Sequence, residues 1–387
     1  MRVLVLNPGS STLKAVVLEP PDRAPRAAIE VDRGADASRA LDRTAVVEAA
    51  LERLAGAGIA AESIGAVGYR VVHGGTTLVA PVLVDDAVVA AIDELVELAP
   101  LHNPVAADTI RAARRLLPDA THVAAFDTAF HASLPEDAIR YAVPERWAAD
   151  WGVRRFGFHG LSVAWSVRRA AELLGRPPGE LGVVVAHLGS GCSVTAAEGG
   201  RSVETSMGMT PLEGLVMGTR AGSLDPGILL ALLRSGRRTA AELGEDLDHR
   251  SGLLGLSGRS ADVRDLLAAE AAGDEAARLA LAVFVRRAAA GIAAAATALR
   301  RVDAIVFTGG IGQHSGPIRQ RILARLGPLG IDPRLAAEAG ARTGPATPES
   351  NGADWIAARG AGPAVLGIAA REDVVIAEAA VELARPA

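Results

Sequence analysis

One local pattern occurs twice in this chain, and it constrains the fold more than any other feature. Its first copy, VLVLNPGSSTLKAVVLE, and its second, VVVAHLGSGCSVTAA, each contain an apolar run, a Gly/Ser turn and another apolar run. This pattern predicts a β-hairpin in each half of the chain. Glycine lets a ligand approach the backbone closely, and successive N–H groups and hydroxyls form an anion site. We therefore expect two related α/β domains with a phosphate chain held between them.

The only lysine in the chain, Lys14, lies beside the first Gly/Ser turn. All other permanently charged basic side chains are arginines, so this position is the one at which the chain has lysine instead. An ammonium group is a compact point charge that suits a phosphate, whereas a guanidinium group is a planar fork. We therefore predict that Lys14 contacts phosphate.

Composition narrows the class of protein to which the chain can belong. A length of 387 residues fits two domains, and the hydrophobic content of 50% supplies a large core. The formal net charge of −5 gives no reason to expect binding to nucleic acid. The single cysteine, Cys192, excludes an internal disulfide and predicts a reducing, cytoplasmic location.

The apolar stretches do not have the layout of a secretory signal or a membrane span. The N-terminal apolar run leads at once into the Gly/Ser turn. The most membrane-like stretch, residues 279–299, is interrupted by Arg286 and Arg287, which predicts a buried amphipathic helix. We therefore expect no membrane partner.

The order of the patterns predicts an α/β protein with a central mixed sheet in each half. Apolar strand patterns outside the two hairpins lie at 64–72, 121–126 and 304–307. Helical patterns separate them, and the longest helical region covers 226–300. Residues 20–43 and 201–227 are predicted to be irregular connections. Prolines and aromatic residues in 133–157 predict a domain boundary there.

Three Gly-rich turns that follow predicted strands are candidate phosphate loops. Their sequences are NPGSST, HLGSGCS and TGGIG, and none matches the P-loop or the dinucleotide-binding motif. One Gly turn is usually only a turn, but three such turns after strands favour phosphate binding. Arg70 ends a strand pattern, and Arg220 lies in the Gly-rich segment GLVMGTRAGSLDPG. Both suit a carboxylate or a phosphoryl group, and the alternative for each is an ordinary surface arginine.

Other side chains have a catalytic and a structural interpretation. Asp127 ends an apolar strand, a common catalytic position in α/β proteins, although it could instead cap the following turn. His159 lies between glycines in RRFGFHG, and the alternative is a hydrogen-bonded core histidine, as for His102 and His187. Cys192 is expected to be a packed residue rather than a nucleophile. No cluster has the spacing of a structural zinc site.

Taken in order, the motifs resemble those of the acetate kinase family, within the acetate/sugar kinase–Hsp70–actin superfold. The most specific segment is SMGMTPLEGLVMGTRAGSLDPG, and the others are LNPGSSTLK, YRVVHGG, APLHNP, FDTAFH, RFGFHG, AHLGSGCS, FTGGIG and REDVVIA. The resemblance implies a duplicated two-domain actin-like (ribonuclease H-like) ATPase fold with a central mixed sheet in each domain and an interdomain cleft. It places residues 1–140 and 374–387 in the first domain, and 141–373, with the adenosine pocket, in the second.

The same resemblance implies roles for individual residues. The catalytic residues are Arg70, Asp127, His159 and Arg220. The residues that bind the nucleotide and its phosphates are Asn7, Ser10, Lys14, His187, Gly189, Gly191, Asp262, Arg264, Gly310 and Ile311. The pocket for the methyl group of the acid is Val72, Leu101, Phe158 and Pro211, and the metal ligands are Asn7 and Glu372.

By this resemblance the two arginines grip the carboxylate and the transferred phosphoryl group. His159 stabilises charge at the transfer point, and Asp127 orients acetate or the metal. The implied reaction is reversible, direct in-line phosphorylation of acetate by ATP, with Mg²⁺ or alternatively Mn²⁺. The implied protein is a homodimer whose partners include neither nucleic acid nor a membrane.

Several alternatives to acetate phosphorylation remain open from the sequence. The family usually has Asn-Gly where this chain has Ser190-Gly191, and Glu-Asn where it has Gln313-His314. These departures leave open the phosphate donor and the choice between acetate, propionate and butyrate. A non-catalytic nucleotide-binding module on the same superfold is a further alternative. A sugar kinase would need polar residues in place of the apolar pocket.

Overall fold

The computed structural model describes residues 1–9, 12–32, 42–341, 354–357 and 362–385. The chain forms two compact units. The first comprises Met1–Ala132, Phe158–Leu161 and Arg371–Ala387, and the second comprises Ser133–Gly157 and Ser162–Ala370.

These bounds differ from the predicted ones at residues 133–140, 158–161 and 371–373. The short segment 158–161 joins the first unit because it is hydrogen-bonded to residues after β6 (Thr121–Phe126), as described below.

The first unit contains a mixed sheet that the described residues build from six strands. Its strands are β1 (Val3–Pro8), β2 (Thr12–Glu19), β3 (Asp22–Asp32), β4 (Ala66–Val71), β5 (Val82–Leu83) and β6. Their order is β3-β2-β1-β4-β6-β5. The three central strands β1, β4 and β6 are parallel, and the other neighbours are antiparallel.

The second unit repeats this topology strand for strand. Its strands within the described residues are β7 (Gly182–Leu188), β8 (Cys192–Glu198), β9 (Arg201–Thr205), β10 (Ala304–Thr308), β11 (Trp355–Ile356) and β12 (Ala364–Gly367). Their order is β9-β8-β7-β10-β12-β11, and each pair runs in the same relative direction as its counterpart. The duplicated α/β fold predicted from the two hairpins is confirmed, because the hairpins begin the two copies.

The described helices complete the two units. They are α1 (Arg43–Gly56), α2 (Asp86–Glu94), α3 (Asn103–Leu116), α4 (Glu136–Ile139), α5 (Glu145–Trp151), α6 (Gly160–Leu174), α7 (Pro226–Arg234), α8 (Ala240–His249), α9 (Gly252–Ser257), α10 (Val263–Ala271), α11 (Glu275–Ala296), α12 (Gly309–His314), α13 (Gly316–Leu323), α14 (Pro333–Ala341) and α15 (Glu372–Leu383). Short 3-10 helices occupy Ala61–Ser63, Val96–Leu98, Ala129–Ser133, Pro178–Glu180 and Gly327–Leu329.

Different helices pack on the two faces of the first sheet. Val67, Tyr69 and Val71 of β4 lie in the apolar core with residues of α1 and α3. Because side chains alternate along a strand, Gly68 and Arg70 face the other side. Ile376 of α15 packs there, directly over Gly68. The charged Arg70 therefore lies on the face covered by α15.

Two predicted irregular connections contain edge strands instead. Residues 22–32 of the predicted connection 20–43 form β3, whose Val31 pairs with Leu13 of β2. Pro20, Pro21 and Pro25 in the predicted connection disguised the strand pattern. An edge strand tolerates Pro25 because one side of its backbone needs no partner. Residues 201–205 similarly form β9, which lies at the edge of the second sheet.

Helix α11 is the one described helix that is long and apolar enough to cross a membrane. The buried core helix of a protein that does not enter a membrane can have the same length and composition. Half of the apolar window is buried inside the protein, including Ala280, Phe284 and Ile292, whereas Arg286 and Arg287 are exposed. These features agree with the predicted buried amphipathic helix.

Candidate active site

Arg70 and Asp127 form a two-pronged ion pair in the first unit. Nε and Nη2 of Arg70 donate to the two carboxylate oxygens of Asp127 over 3.0 and 2.6 Å. β4, which carries Arg70, and β6, which ends just before Asp127, are parallel neighbours, so both residues lie at the same edge of the sheet. Asp127 is 1% exposed. Two parallel hydrogen bonds therefore fix the plane of the guanidinium group.

Two further oxygen-bearing side chains surround the same guanidinium group. Oε2 of Glu372, at the start of α15, lies 3.4 Å from Nε of Arg70. Oδ1 of Asn7 accepts a hydrogen bond of 3.4 Å from Nη1. Burial opposes the charge of Arg70, but Asp127 and Glu372 outweigh this effect and raise the pKa of Arg70 above its usual value. Arg70 is thus a permanent cation held by two carboxylates.

The oxygens around Arg70 also fit the ligand preference of Mg²⁺. Within the described part of the chain, no group of three or more His, Cys, Asp or Glu side chains could hold a metal ion. Mg²⁺ that arrives with a nucleotide needs only one or two carboxylates, since phosphates and waters complete its shell. Glu372 and Asn7 supply one carboxylate and one amide oxygen beside Asp127, which meets that requirement.

His159 lies in a strained segment that is hydrogen-bonded to the neighbourhood of Asp127. The N–H of Gly160 donates to the carbonyl of Asp127 over 2.8 Å. Nε2 of His131 lies 2.9 Å from the carbonyl of Phe158. Among the described residues His159 is the only non-glycine with a positive φ, +60°. Such strain costs about 1–3 kcal/mol and persists where the surroundings enforce it, often at active sites.

With the charge-stabilising role that the resemblance implies for His159, His159→Asn should lower kcat/KM by about 10²–10³-fold, because the shorter asparagine side chain cannot place its N–H donor at the same position. Asparagine tolerates the left-handed conformation, so the thermal midpoint should stay close to that of the wild type. His249→Asn on the exposed surface of α8 is the matched control and should change neither quantity. Wild-type kinetics in His159→Asn would exclude a catalytic role for this imidazole.

Buried His131 should make stability depend on pH. Burial lowers the pKa of His131 to about 4, against about 6.5 in an unfolded chain. The unfolded state therefore binds more protons between these values, and the free energy of unfolding should fall by up to about 3 kcal/mol as pH drops from 6.5 to 4. Urea unfolding at several pH values measures this dependence. The free energy of unfolding should change less steeply with pH in His131→Gln than in the wild type. Equal slopes would contradict this assignment.

The first hairpin places Asn7 and Lys14 on the same face of the sheet. They are direct partners across the antiparallel pair β1–β2. The Lys14 side chain is 58% exposed, and its Nζ lies 4.0 Å from Oε2 of Glu30. An exposed pair at this distance contributes little, so the ammonium group remains available to a phosphate. The predicted phosphate ligand Ser10 lies outside the described residues.

The second hairpin turn contacts two other predicted site segments. The N–H of Gly218 donates to the carbonyl of Ser190 over 3.0 Å, which joins the turn to the segment containing Arg220. Gly309 has φ +75°, and a Cβ atom there would lie 2.7 Å from the carbonyl oxygen of Leu188. The HLGSGCS and TGGIG turns are therefore packed together in the second unit.

The polar side chains of the second hairpin have internal partners. His187 Nδ1 lies 2.9 Å from the hydroxyl of Ser162. The thiol of Cys192 donates to the carbonyl of Gly189 over 3.3 Å. Burial raises the pKa of Cys192 to about 12, so the thiol stays protonated and is a packed residue. Gly189 and Gly191 close the turn through an N–H···O bond of 3.0 Å.

Arg220 differs from Arg70 in that it forms no ion pair with a carboxylate among the residues that the structure describes. Its Nη1 donates to the carbonyl of Pro211 over 2.7 Å. In the described part of the chain, no Asp or Glu oxygen lies within 4.0 Å of its guanidinium group. Burial lowers the pKa of Arg220, although Asp248 partly opposes this effect. A desolvated cation whose described hydrogen bond engages one of its five N–H donors is well suited to bind an incoming anion.

The predicted adenosine residues fall into two groups. Asp262 caps α10 through the N–H of Arg264, and its carboxylate also pairs with the Arg264 guanidinium group at 2.5 Å. Gly310 and Ile311 form the first turn of α12. Buried Arg319 donates to the carbonyls of Gly312 and Gln313 over 2.9 and 2.7 Å and thereby anchors this helix.

The predicted methyl pocket is divided between the units. Val72 is half-buried, Leu101 is 38% exposed and Phe158 is 1% exposed, all in the first unit. The Phe158 ring meets the ring of His73 edge-on, with a centroid distance of 5.4 Å. Pro211 belongs to the second unit. Their joint role as one pocket therefore stays a prediction.

Several residues that the sequence analysis did not single out contact the candidate site. His131 and Ser162 hold Phe158 and His187 through the hydrogen bonds given above. His131 is the last residue of the FDTAFH motif, which was a usable signal. Arg319 gave no signal, because one buried arginine cannot be distinguished by sequence among so many exposed ones.

Comparisons with known proteins cover both units. A family model described as the acetokinase family matches residues 2–378. The acetate kinase of Deinococcus radiodurans is 46% identical over 346 residues, which cover 86% of this chain and 87% of that protein. The crystal structure of Porphyromonas gingivalis acetate kinase matches with a TM-score of 0.86 and 33% identity, covering 99% of this chain and 100% of that one. A propionate kinase from Francisella tularensis matches with a TM-score of 0.85, 32% identity and 99% coverage of both chains.

Proposed function

This chain belongs to the acetokinase family, and we propose on that premise that it transfers the γ-phosphoryl group of ATP reversibly to acetate. The resemblance identified from the sequence motifs is thereby confirmed. The observation that carries the proposal is the Arg70–Asp127 pair in a chain of this family. Two hydrogen bonds to the Asp127 carboxylate fix the plane of the Arg70 guanidinium group. The products are acetyl phosphate and ADP.

The transfer needs alignment and charge neutralisation rather than a strong general base. A carboxylate oxygen of acetate forms a bond to the γ-phosphorus while the bond from that phosphorus to the β–γ bridging oxygen breaks. No proton has to move for the nucleophile to be active. Arg70 and Arg220 neutralise the charge that spreads over the transferred group, and His159 donates to it. Asp127 sets the orientation of Arg70.

We assign phosphate binding to the first hairpin and to the residues proposed as metal ligands. Lys14 contacts the phosphate chain, a role supported by its exposed ammonium group. Glu372 and Asn7 would hold Mg²⁺, or Mn²⁺ in its place, and the bound ion would supply neutralisation of phosphate charge. With a metal ion bound there, Asp127 and Glu372 would offset its repulsion with Arg70, since their two negative charges flank that guanidinium group.

The reaction can be tested by trapping acyl phosphate as a hydroxamate. The protein is incubated with ATP, Mg²⁺, hydroxylamine and acetate, propionate or butyrate in separate reactions. We expect hydroxamate with all components present and the highest kcat/KM for acetate. A higher kcat/KM for propionate would support the alternative that this chain is a propionate kinase, the activity named for the Francisella tularensis relative. Nucleotide binding without hydroxamate from any acid would overturn the proposal and favour the non-catalytic alternative.

We also propose that the protein is a cytoplasmic homodimer. The buried, protonated thiol of Cys192 suits a reducing compartment. Helix α7 exposes Ile228, Leu230 and Leu233 by 51%, 48% and 41%, and such an apolar surface suits burial against a second copy.

We expect Leu230→Arg to shift the sedimentation coefficient from that of a dimer to that of a monomer. A charge placed in an apolar interface loses its hydration without gaining a partner. Arg286→Ala, on the exposed side of α11, is the control and should remain dimeric. An unchanged dimer in Leu230→Arg would show that α7 lies outside the interface.

A further inference from the structure

Three side chains of the second unit form a polar network beside the loop of residues 206–214. The hydroxyl of Tyr141 donates to Oε2 of Glu213 and accepts from the N–H of Met209 over 3.1 Å. Nη2 of Arg155 donates to Oε1 of Glu213 over 3.0 Å. The Arg155 guanidinium carbon also lies 5.3 Å from the centre of the Tyr141 ring. Each member therefore contacts the other two.

This network holds the backbone of the loop as well as its side chains. Nη1 of Arg155 donates to the carbonyl of Met207 over 2.9 Å. The carbonyl of Gly208 accepts from the N–H of Phe156 over 3.0 Å. A Cβ atom on Gly208 would lie 1.9 Å from Oε2 of Glu213 and 2.1 Å from the Tyr141 hydroxyl. Only glycine at position 208 allows the two side chains to close over the loop.

The loop in turn carries the one hydrogen-bond acceptor that the structure describes for Arg220. Pro211 lies between Met209 and Glu213, both held by the network, and its carbonyl accepts from Nη1 of Arg220 over 2.7 Å. No described carboxylate lies within 4.0 Å to orient this guanidinium group. Its direction therefore depends on where the Pro211 carbonyl is held.

We propose that Tyr141, Glu213 and Arg155 are positioning residues for phosphoryl transfer, because they fix the Pro211 carbonyl that orients Arg220. The inference rests on the proposed function of Arg220. Arg70 needs no comparable network, since two hydrogen bonds to Asp127 orient its guanidinium group directly. Burial and the contact with Glu213 raise the pKa of Tyr141, so its hydroxyl stays a hydrogen-bond donor at neutral pH.

A double-mutant cycle between Tyr141→Phe and Arg220→Ala tests this proposal. In the wild-type background Tyr141→Phe should lower kcat by about tenfold to a hundredfold, the effect of losing a hydrogen bond to a charged group. The KM for ATP should stay the same, because none of the described contacts of the network is with a predicted adenosine residue. In the Arg220→Ala background the same substitution should have no further effect on kcat.

Glu213→Gln is the second variant and should show the same non-additive loss of kcat. Glu270→Gln is its matched control, since Glu270 forms a two-pronged pair with Arg321 in the same unit and is not part of the network. The control should leave kcat unchanged even if the thermal midpoint falls.

The outcomes separate the inference from the proposed function. Wild-type kcat in Tyr141→Phe and Glu213→Gln, or equal losses of kcat in both Arg220 backgrounds, would overturn the inference while leaving the function intact. Wild-type activity in Arg220→Ala would instead overturn the proposed role of Arg220, and the inference would fall with it.

Discussion

Arg70→Ala should lower kcat/KM for acetate by about 10³-fold or more and also destabilise the protein by about 3–5 kcal/mol. An arginine that stabilises a transferred phosphoryl group contributes about 10³–10⁵ in rate. The loss of stability has a separate cause, because the variant leaves the carboxylate of Asp127, which is 1% exposed, without its two-pronged partner. Steady-state kinetics and urea unfolding measure the two effects independently.

The double variant Arg70→Ala/Asp127→Asn separates the structural effect from the chemical one. Removing the carboxylate charge together with its partner should restore much of the lost free energy of unfolding. Activity should stay low, because the cation that we propose for the transfer point is still absent. Recovery of activity in the double variant would show that the charge of Asp127 without its two-pronged partner, rather than the missing arginine, caused the loss.

Arg220→Ala should lower kcat/KM by about 10³-fold with little change in stability. Under the proposed role of Arg220, the reaction loses a cation that acts on the transferred phosphoryl group. The fold loses one hydrogen bond to the Pro211 carbonyl, and no described carboxylate is left unpaired. A single hydrogen bond contributes about 1 kcal/mol, so the free energy of unfolding should change by about that amount.

Arg286→Ala is the matched control for Arg220→Ala, because Arg286 is an exposed arginine of the same unit. It should have wild-type kinetics and wild-type stability. If Arg220→Ala kept wild-type kcat/KM, or if it unfolded as readily as Arg70→Ala, the distinct roles assigned to the two arginines would be wrong.

The duplicated fold could be predicted because its signal is local. Each copy begins with a hairpin whose turn and apolar runs lie within a short stretch of sequence, as in Asn7 to Lys14 and His187 to Ser193. The edge strands were harder to predict. β5 and β11 have two residues each, and β3 contains a proline, so neither length nor alternation marked them.

The sequence motifs singled out individual residues of the candidate site, but they did not indicate the contacts between those residues. Motifs identified Arg70 and Asp127, which are 57 residues apart in sequence, yet their two-pronged pairing depends on the parallel register of β4 and β6. Glu213 is 72 residues from Tyr141, and no spacing rule connects them. No sequence pattern marked the positive φ of His159, whose neighbours Phe158 and Gly160 are hydrogen-bonded to residues that follow β6.

The most direct test of phosphoryl transfer to a carboxylate uses acetate labelled with ¹⁸O at both oxygens. The protein is mixed with this acetate, ATP and Mg²⁺, and the products are followed by ³¹P NMR. If the carboxylate oxygen attacks the γ-phosphorus, acetyl phosphate will form together with ADP, and its phosphorus signal will show the isotope shift of a bridging ¹⁸O. Formation of only ADP and inorganic phosphate, or of acetyl phosphate without the shift, would contradict the account.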